Sequence, residues 1–333
     1  MTPPYPPPAF HQSERSLPTP QDYRAAAARI APYVRHTPVL RATVDGRPVS
    51  LKLEHLQVAG VFKIRGALNA LLLWLARGDD PPVTQPSITQ PSVSPPRVVT
   101  ASGGNHGLGV ATAARWLGIP VTVFVPGTVP EVKARRIAAQ GADVVKTGTL
   151  YAEAEQAARE LADREGLYYV HAYDDPAVVA GQGTVGLEIA ADLPGCDTVA
   201  VPVGGGGLLA GVSGAVAPCP VVAVEPEGCP TLHAAVKAGG PVDVGADSIA
   251  ASALGASRIG TLAFAAATAN AVSLAMVTDE EIRAARDRLW EDFRLAVEPA
   301  AATVYAAWLA GRVPGENPCL LLSGANADWK PSQ

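Results

Sequence analysis

Residues 198–211 read TVAVPVGGGGLLAG, in which a run of apolar residues passes directly into four consecutive glycines. A continuous apolar run such as TVAVPV is typical of a strand that is buried on both faces. Glycines let the backbone approach a ligand closely, and successive N–H groups at the start of a helix attract an anion. Because four glycines cost more chain entropy than a simple turn needs, the stretch predicts a strand, a phosphate-binding loop and a helix.

The same stretch also satisfies the fingerprint of dinucleotide-binding folds. Gly205, Gly207 and Ala210 have the spacing GxGxxA after a strand, and Glu225 ends the next predicted strand. A carboxylate at that place binds the ribose of a nicotinamide cofactor. On the glycine loop alone, a nicotinamide-dependent oxidoreductase therefore stays open as an alternative. The GxxxxGK motif is absent, which argues against a nucleoside triphosphatase.

Strand-like runs alternate with alanine-rich helical stretches along most of the chain. The predicted strands are VSLKLE from 49, RVVTAS from 97, VTVFVP from 121, YYVHAY from 168, TVAVPV from 198, PVVAVEP from 220 and CLLLSG from 319. Helices are predicted over 132–140, 152–164 and 280–293. This order indicates an α/β fold of mostly parallel sheets flanked by helices, in which ligands bind beyond the carboxyl ends of the strands.

The composition is that of a globular protein with a large core. Of the 333 residues, 48% are hydrophobic and 17% are charged, which suits two domains or one large α/β unit. The net charge of −5 and the lack of a basic stripe argue against nucleic acid as a partner. The uncharged stretch 198–224 contains prolines and glycines, so it predicts buried core and no membrane contact.

The cysteines indicate the cellular compartment of the protein, and two proline-rich segments indicate where the chain lacks regular structure. Four cysteines lie far apart in the sequence without a CxxC motif: Cys196, Cys219, Cys229 and Cys319. This usage is typical of a reducing cytosol and predicts a cytoplasmic protein. Residues 1–20 lack the features of a signal peptide and predict a disordered tail, and residues 78–96 predict a solvated loop.

Two further turns follow predicted strands. In residues 97–117, RVVTASGGNHGLGVATAARWL, the backbone N–H groups of Gly103, Gly104, Asn105 and His106 can face an anion, although Asn105 also suits an ordinary helix cap. In residues 320–326, LLLSGAN, Ser323 lies at the carboxyl end of a strand, where it also suits an ordinary turn.

Lys63 is the residue that suggests a common function for the three turns. It lies in VAGVFKIRGALNALLLWL, residues 58–75, at the start of a helix with an apolar face. The helix dipole and the apolar neighbours Val61 and Phe62 lower the pKa of its ammonium group. A neutral amine is what imine formation with an aldehyde requires, whereas a lysine that extends to the solvent is the structural alternative. The other five lysines are expected at the surface: Lys52, Lys133, Lys146, Lys237 and Lys330.

Two anion sites and an activated lysine together constrain the chemistry. A phosphorylated aldehyde would use one anion site and the lysine, and the carboxylate of an amino acid would use the other. Pyridoxal phosphate fits this pattern as the cofactor, with a small amino acid as the substrate. A nicotinamide cofactor would leave Lys63 without a role.

The sequence resembles the fold-type II pyridoxal-phosphate enzymes, in the branch of the threonine/serine dehydratases and serine racemases, whose fold is similar to the β subunit of tryptophan synthase. The resemblance runs from about Arg29 to Asp328 and rests on RIAPYVRHTPVL, LKLEHLQVAGVFKIRGALNA, TASGGNHGLGVA, HAYDDPAVVAGQGTVGLE, PVGGGGLLAGV, VAVEPEG, AVEPAAA and LLSGAN, in the order of the family. It implies a large cofactor-binding domain of residues 21–60 and 172–330, a small domain of residues 61–171, and a homodimer.

The resemblance also implies an activity and the residues that carry it. The activity is the conversion of L-threonine or L-serine to a 2-oxo acid and ammonia. Lys63, next to Phe62, binds the cofactor through an imine and takes the proton from the substrate α-carbon. Asn105 contacts the ring hydroxyl and Ser323 the pyridine nitrogen. The implied phosphate site is Gly204, Gly205, Gly206, Gly207 and Leu208, and the implied carboxylate site is Ser102, Gly103, Asn105 and His106.

Some positions depart from the family pattern. Gly103 replaces the serine that racemases use as a second base, which predicts dehydration with little racemisation. Val61 stands where many relatives have serine before Phe-Lys, and Ala251-Ser252-Ala253 stands where they have Ala-Asp-Gly, both near the expected pocket. A serine racemase or a 3-hydroxyaspartate dehydratase of the same fold, or a binding protein that lost turnover, therefore stays an alternative. The short segment after LLSGANADW predicts no regulatory domain and no inhibition by isoleucine.

The family resemblance further implies a cation beside the strand that ends at Glu225. The matching ligand positions are Glu225, Cys229 and Thr231. Because Thr231 does not carry the charge of a carboxylate, we expect a weakened divalent site at Glu225, or a monovalent cation held by carbonyl groups.

Overall fold

A computed structural model describes residues 16–77, 97–270 and 272–327 of the protein. Most of the tail predicted over 1–20 and the loop predicted over 78–96 lie outside the described residues. The strands are β1 (Val39–Val44), β2 (Arg47–Lys52), β3 (Val98–Ala101), β4 (Val121–Val125), β5 (Asp143–Lys146), β6 (Tyr168–Tyr169), β7 (Thr198–Pro202), β8 (Val221–Pro226), β9 (Val272–Val277) and β10 (Pro318–Leu321).

Helices pack on both faces of the sheets that these strands form. They are α1 (Pro20–Ile30), α2 (Lys63–Arg77), α3 (Asn105–Leu117), α4 (Glu131–Ala138), α5 (Tyr151–Glu165), α6 (Pro176–Asp192), α7 (Gly207–Val216), α8 (Thr231–Ala238), α9 (Ala251–Leu254), α10 (Thr261–Ala269), α11 (Asp279–Phe293) and α12 (Pro299–Leu309). No helix of the described residues is long and apolar enough to cross a bilayer.

The larger sheet has six strands in the order β1-β2-β10-β7-β8-β9. Strands β2 to β9 in this order are parallel, and β1 forms an antiparallel hairpin with β2. The hairpin turn contains Asp45 and Gly46, both at positive φ, as a two-residue turn between twisted strands requires. Because β10 lies between β2 and β7, the residues that follow β7 and β10 emerge side by side.

The smaller sheet has four parallel strands in the order β5-β4-β3-β6. Its strands β3 and β4 are fully buried, with Val99 and Val123 at 0% exposure. Helix α3 begins four residues after β3 ends, so the turn SGGN lies at the carboxyl edge of this sheet. The residues of this sheet are contiguous in the chain, whereas both ends of the chain contribute to the larger sheet. The division into domains 61–171 and 21–60 with 172–330 stays a prediction.

Helix α1 begins inside the segment predicted as a tail. The side chain of Thr19 accepts a hydrogen bond from the backbone of Asp22, the carboxylate of Asp22 accepts from the backbone of Thr19, and Pro20 occupies the first turn. Tyr23 and Ala26 are buried against α6. The proline content of the segment concealed this helix, because proline is also favoured at a helix start.

Helix α2 connects the two sheets. The bridge between Val61 and Gly324 and the hydrogen bond from Phe62 N–H to Ser323 O (3.2 Å) attach its start to the end of β10. Its buried residues Ile64 and Leu68 pack in the core of the smaller sheet, while Leu75, near the end of the helix, is 42% exposed. The chain therefore passes from one sheet to the other at Lys63.

Candidate active site

The glycine loop between β7 and α7 has no room for side chains. A Cβ atom at Gly205 would lie 2.3 Å from the ring of Tyr173, and one at Gly204 would lie 2.7 Å from the Cα atom of Leu254. Gly206 has a φ of +85°, the left-handed region that favours glycine. The glycines are thus required by packing against the rest of the protein and by the backbone conformation at Gly206.

This loop also presents a series of backbone N–H groups. Within the described part of the chain, no acceptor is bonded to the N–H groups from Gly204 to Leu208, and Ala210 is the first to bond back, to Gly206 O at 2.9 Å. They lie at the positive end of the ten-residue helix α7. Such a loop binds a phosphate group without any charged side chain.

Lys63 is the first residue of α2, and it lines the same cavity as the glycine loop. Its Nζ atom donates a hydrogen bond to Ala172 O at 2.7 Å and lies 5.3 Å from the centroid of the Phe62 ring. Burial in these apolar surroundings lowers the pKa of the Lys63 amine to about 8. A substantial fraction of the amine is therefore neutral near physiological pH.

One cavity contains most of the residues that the sequence predicts for the site. It is lined by Phe62, Lys63, Asn105, Pro202, Gly204, Gly205, Gly206, Gly207, Leu208, Ala253, Leu254 and Ser323. Ser323 lies two residues after β10, and no described residue forms a hydrogen bond with its hydroxyl group. The structure therefore brings the amine, the glycine loop, the Asn105 amide and the Ser323 hydroxyl together.

The turn before α3 lies at the edge of this cavity. Ser102 Oγ accepts a hydrogen bond from Gly104 N–H at 3.2 Å, while the N–H groups of Asn105 and His106 have no acceptor within the described residues. Ser102, Gly103 and His106 do not line the cavity itself. Only their backbone is placed where it can contribute to an anion site.

The imidazole of His106 points into the core. It is 4% exposed, and Nε2 lies 3.0 Å from Val170 O. Burial, and secondarily the charge of Lys63, lower the pKa of this imidazole to about 3, so the ring is neutral. The predicted substrate contact of His106 is therefore limited to its backbone N–H group.

Glu298 is a polar residue of this region to which no sequence pattern assigned a role. It is the N-cap residue of α12 and 2% exposed, and its Oε1 accepts a hydrogen bond from Asn105 Nδ2 at 2.6 Å. Burial raises the pKa of this carboxyl group to about 7. A signal was present in the sequence, because AVEPAAA places one acid in an apolar segment without a basic neighbour.

The carboxylate of Glu225 is directed at the start of helix α8. Its carboxylate accepts hydrogen bonds from Thr231 Oγ1 at 2.9 Å, Leu232 N–H at 2.7 Å and His233 N–H at 2.8 Å. Burial raises its pKa. No cluster of three His, Cys, Asp or Glu side chains within the described ranges can hold a metal ion. The residues around Glu225 do not fit a divalent cation, and Glu225 does not line the cavity.

A buried ion cluster supports the start of α2. Arg65, 1% exposed, pairs with Glu54 and Glu188, each at 2.7 Å. Lys52 pairs with Glu188 at 2.7 Å and is fully buried, so its predicted surface location is wrong. The strand pattern around Lys52 did not reveal the two carboxylates of α6 that compensate its charge.

The site fits a phosphorylated aldehyde as cofactor. The glycine loop is packed without room for side chains, and its N–H groups, which have no acceptor among the described residues, suit a phosphate. Lys63 supplies an amine with a lowered pKa, and Asn105 and Ser323 supply polar groups at two further places on the cavity wall. Pyridoxal phosphate carries a phosphate, an aldehyde and two polar groups on its ring, which match these four features of the cavity.

Comparisons with known proteins agree with this chemistry. The sequence profile of the family "Pyridoxal-phosphate dependent enzyme" matches residues 30–324. The chain is 38% identical over 316 residues to a phenylserine dehydratase of Ralstonia pickettii, covering 90% of this chain and 91% of the relative. It is 37% identical over 292 residues to an L-threonine ammonia-lyase of Geobacter sulfurreducens, covering 86% of this chain and 69% of the relative.

Solved structures give the same result for the fold. A threonine deaminase of T.th. has a TM-score of 0.83 at 35% identity, with 94% of this chain and 100% of that chain covered. Maize serine racemase has a TM-score of 0.83 at 30% identity, with 94% and 95% covered. The chain therefore belongs to the family of pyridoxal-phosphate dependent enzymes and has the fold-type II architecture of the threonine deaminases and serine racemases.

Proposed function

We propose that the protein is a lyase that converts a β-hydroxy amino acid, L-threonine or L-serine, to the 2-oxo acid and ammonia. The observation that carries this proposal is the half-buried Lys63 amine, with a pKa of about 8, in one cavity with a glycine loop whose N–H groups are free to bind phosphate. Relatives named L-threonine ammonia-lyase, at 36–37% identity, support it.

Each polar group of the cavity has a defined task in this reaction. When bound, pyridoxal phosphate supplies an aldehyde for the amine and a ring that withdraws electrons from the substrate α-carbon. The N–H groups from Gly204 to Leu208 hold its phosphate, and Lys63 Nζ, when neutral, takes up the α-proton. The Ser323 hydroxyl donates a hydrogen bond without carrying charge, so it does not hold a pyridine nitrogen protonated.

The start of α3 is the proposed site of the substrate carboxylate. The N–H groups of Asn105 and His106 point out of the first turn of a 13-residue helix, and no described acceptor occupies them. The helix dipole adds to their attraction for an anion. The phosphate and the carboxylate would thus use different helix starts, each of which contributes a residue to the cavity lined by Lys63.

The structure favours dehydration over the two related activities. Racemisation needs a second base on the other face of the substrate, and Gly103, at the position where the resemblance to the family puts that base, has no side chain. A 3-hydroxyaspartate dehydratase needs a cation for the second carboxylate, yet Lys63 is the one charged side chain among the described residues that line the cavity. Both activities are therefore weaker candidates.

A second substrate class is favoured by the apolar wall of the cavity. Phe62, Ala253 and Leu254 line it without a polar side chain. Such a wall accommodates an aryl group, and the Ralstonia pickettii relative, which matches over nearly its full length, is named a phenylserine dehydratase. A β-aryl-β-hydroxy amino acid is therefore the second candidate substrate.

A turnover screen tests both candidates. Purified holoenzyme is incubated with L-serine, L-threonine, 3-hydroxyaspartate and phenylserine, and the 2-oxo acid and ammonia are measured. We expect release from L-threonine or phenylserine, no release with Lys63→Ala, and unchanged release with the matched control Lys237→Ala. Cofactor binding without release from any of the four substrates would show a binding protein and overturn the proposal.

We also propose that the protein works as a homodimer in the cytosol. The four cysteines are free thiols, which supports a reducing compartment. The dimer is implied by the resemblance to the family, and light scattering of the purified holoenzyme tests it: a monomer mass at micromolar concentration contradicts it.

A further inference from the structure

The hydrogen bond between Asn105 and Glu298 joins the two sheets at the cavity. Asn105 begins α3, which follows β3 of the smaller sheet, whereas Glu298 precedes α12, which packs on the larger sheet. The two residues are 193 positions apart in the chain, and Nδ2 and Oε1 lie 2.6 Å apart. Both side chains are buried, at 7% and 2% exposure.

The carboxyl group of Glu298 is held firmly in place. Its backbone N–H donates to Gly324 O at 3.1 Å, and a Cβ atom at Gly324 would lie 2.3 Å from Oε1. The side chain is thus packed against the turn that contains Ser323. Among titratable groups of the described residues, Lys133 of α4 is the one whose charge favours the ionised form of Glu298, and no ion pair forms between them.

The side-chain amide of Asn105 has a hydrogen-bond donor, Nδ2, and an acceptor, Oδ1. The Glu298 carboxylate bonds to the donor. A carboxylate accepts hydrogen bonds only, so an ionised Glu298 takes Nδ2 and leaves Oδ1, which no described residue contacts, for the cavity. A protonated carboxyl group can also donate, which permits the opposite orientation of the amide. The protonation of Glu298 therefore acts on a group that lines the cavity.

We propose that Glu298 is a positioning residue that fixes the Asn105 amide in one of its two orientations and thereby sets whether the ring hydroxyl of the bound cofactor keeps its proton. The inference rests on the proposed function, since it takes Asn105 as the contact of that hydroxyl. Glu298 itself does not line the cavity, so it acts through Asn105 and not on the substrate.

The test compares native holoenzyme with Glu298→Gln and with Glu280→Gln, a control at an exposed helix start. The readout is the ratio of the two absorption bands that report the protonated and the ionised ring hydroxyl, recorded from about pH 5.5 to about 8.5. We expect a titration with a midpoint near pH 7 in the native protein and in the control. In Glu298→Gln, whose amide offers both a donor and an acceptor, we expect a shifted ratio that no longer depends on pH.

Kinetics with L-threonine, or with the substrate found in the screen, supplies the second readout. For Glu298→Gln we expect kcat to fall by about tenfold and KM to stay within about twofold, because the substrate contacts are unchanged while the protonation of the ring hydroxyl is no longer controlled. An identical band ratio and an identical kcat in native protein and variant overturn the inference, even when turnover itself is confirmed. Loss of the proposed function is recognised separately, because native protein would then release no 2-oxo acid.

Discussion

The side chain of Val129 occupies the space that a side chain at position 103 would need: a Cβ atom built on Gly103 would lie 2.0 Å from Cγ2 of Val129. Real Cβ atoms do not approach another carbon so closely, so Val129 would have to move. The glycine at this position is therefore part of a packed pair. A side chain at position 103 therefore requires a change at Val129 as well.

Gly103→Ser alone should destabilise the protein by about 1–3 kcal/mol, because the added atoms overpack the contact with Val129. Gly103→Ser with Val129→Ala should recover most of this loss and form D-serine from L-serine. Urea unfolding and a D-serine assay measure the two effects, with Val129→Ala alone as the control. A single variant as stable as the native protein would contradict the packing argument.

Reaction of apoprotein with pyridoxal phosphate should depend on pH through the Lys63 amine. Because burial lowers its pKa to about 8, the rate should rise about tenfold per pH unit below pH 7 and level off above pH 8. The growth of cofactor absorbance measures the rate, and mass spectrometry after borohydride reduction identifies the residue. Continued increase up to about pH 10, or label at another lysine, would be incompatible with this role for Lys63.

Glu298→Gln should stabilise the protein at high pH. The pKa of Glu298 is about 7 in the folded protein against 4.5 for the ordinary side chain, so the native protein loses stability as the pH rises through this interval. At pH 8 the free energy of unfolding of the variant should exceed that of the native protein by about 3 kcal/mol, and at pH 4 the two should agree. Urea unfolding of apoprotein measures this, and Glu280→Gln should show no such difference.

Thr231→Val should weaken the support of the glycine loop. Thr231 Oγ1 lies 2.6 Å from Gly204 O and 2.9 Å from Glu225 Oε1, and valine keeps its shape but loses both contacts. We expect a loss of about 1–2 kcal/mol of stability and a higher Kd for the cofactor. Thr268→Val, at an exposed hydroxyl that bonds its own helix, is the control. If both variants bound the cofactor with equal affinity, the Thr231 contact would not contribute to cofactor binding by the glycine loop.

Removal of divalent cations should leave both stability and turnover unchanged. Three donors of helix α8 already bond to the Glu225 carboxylate, and the described residues contain no cluster of three His, Cys, Asp or Glu side chains that could hold a metal ion. Thermal unfolding and 2-oxo acid release are measured before and after treatment with a chelator. Restored activity on return of magnesium or calcium would show a site that these hydrogen bonds do not account for.

The sequence predicted the central strands and missed three of the four edge strands. Strands β1 and β9 flank the larger sheet and β5 flanks the smaller one, and all three were absent from the prediction. An edge strand is covered on fewer sides, so its apolar pattern is shorter; β5 reads DVVK and has exposed ends. The edge strand β6 was predicted over YYVHAY but pairs only over Tyr168–Tyr169.

Most residues that line the cavity were predictable from the sequence, because glycine turns and a lysine at a helix start are local signals. The roles of Glu298, Val129 and Lys52 depend on partners far away in the chain. Glu298 meets Asn105 across 193 positions, and Lys52 meets Asp192 across 140. No spacing rule relates such pairs, so these contacts became apparent only in the folded protein.

The free N–H groups of the glycine loop have a practical consequence for handling the protein. A cradle built from backbone amides does not discriminate strongly among tetrahedral oxyanions, so inorganic phosphate and sulfate should compete with the cofactor for it. Protein prepared in phosphate buffer, or precipitated with ammonium sulfate, should therefore contain less cofactor and show lower activity than protein prepared without these anions. Before reconstitution, dialysis into a zwitterionic buffer that contains no phosphate, sulfate or primary amine should restore full occupancy.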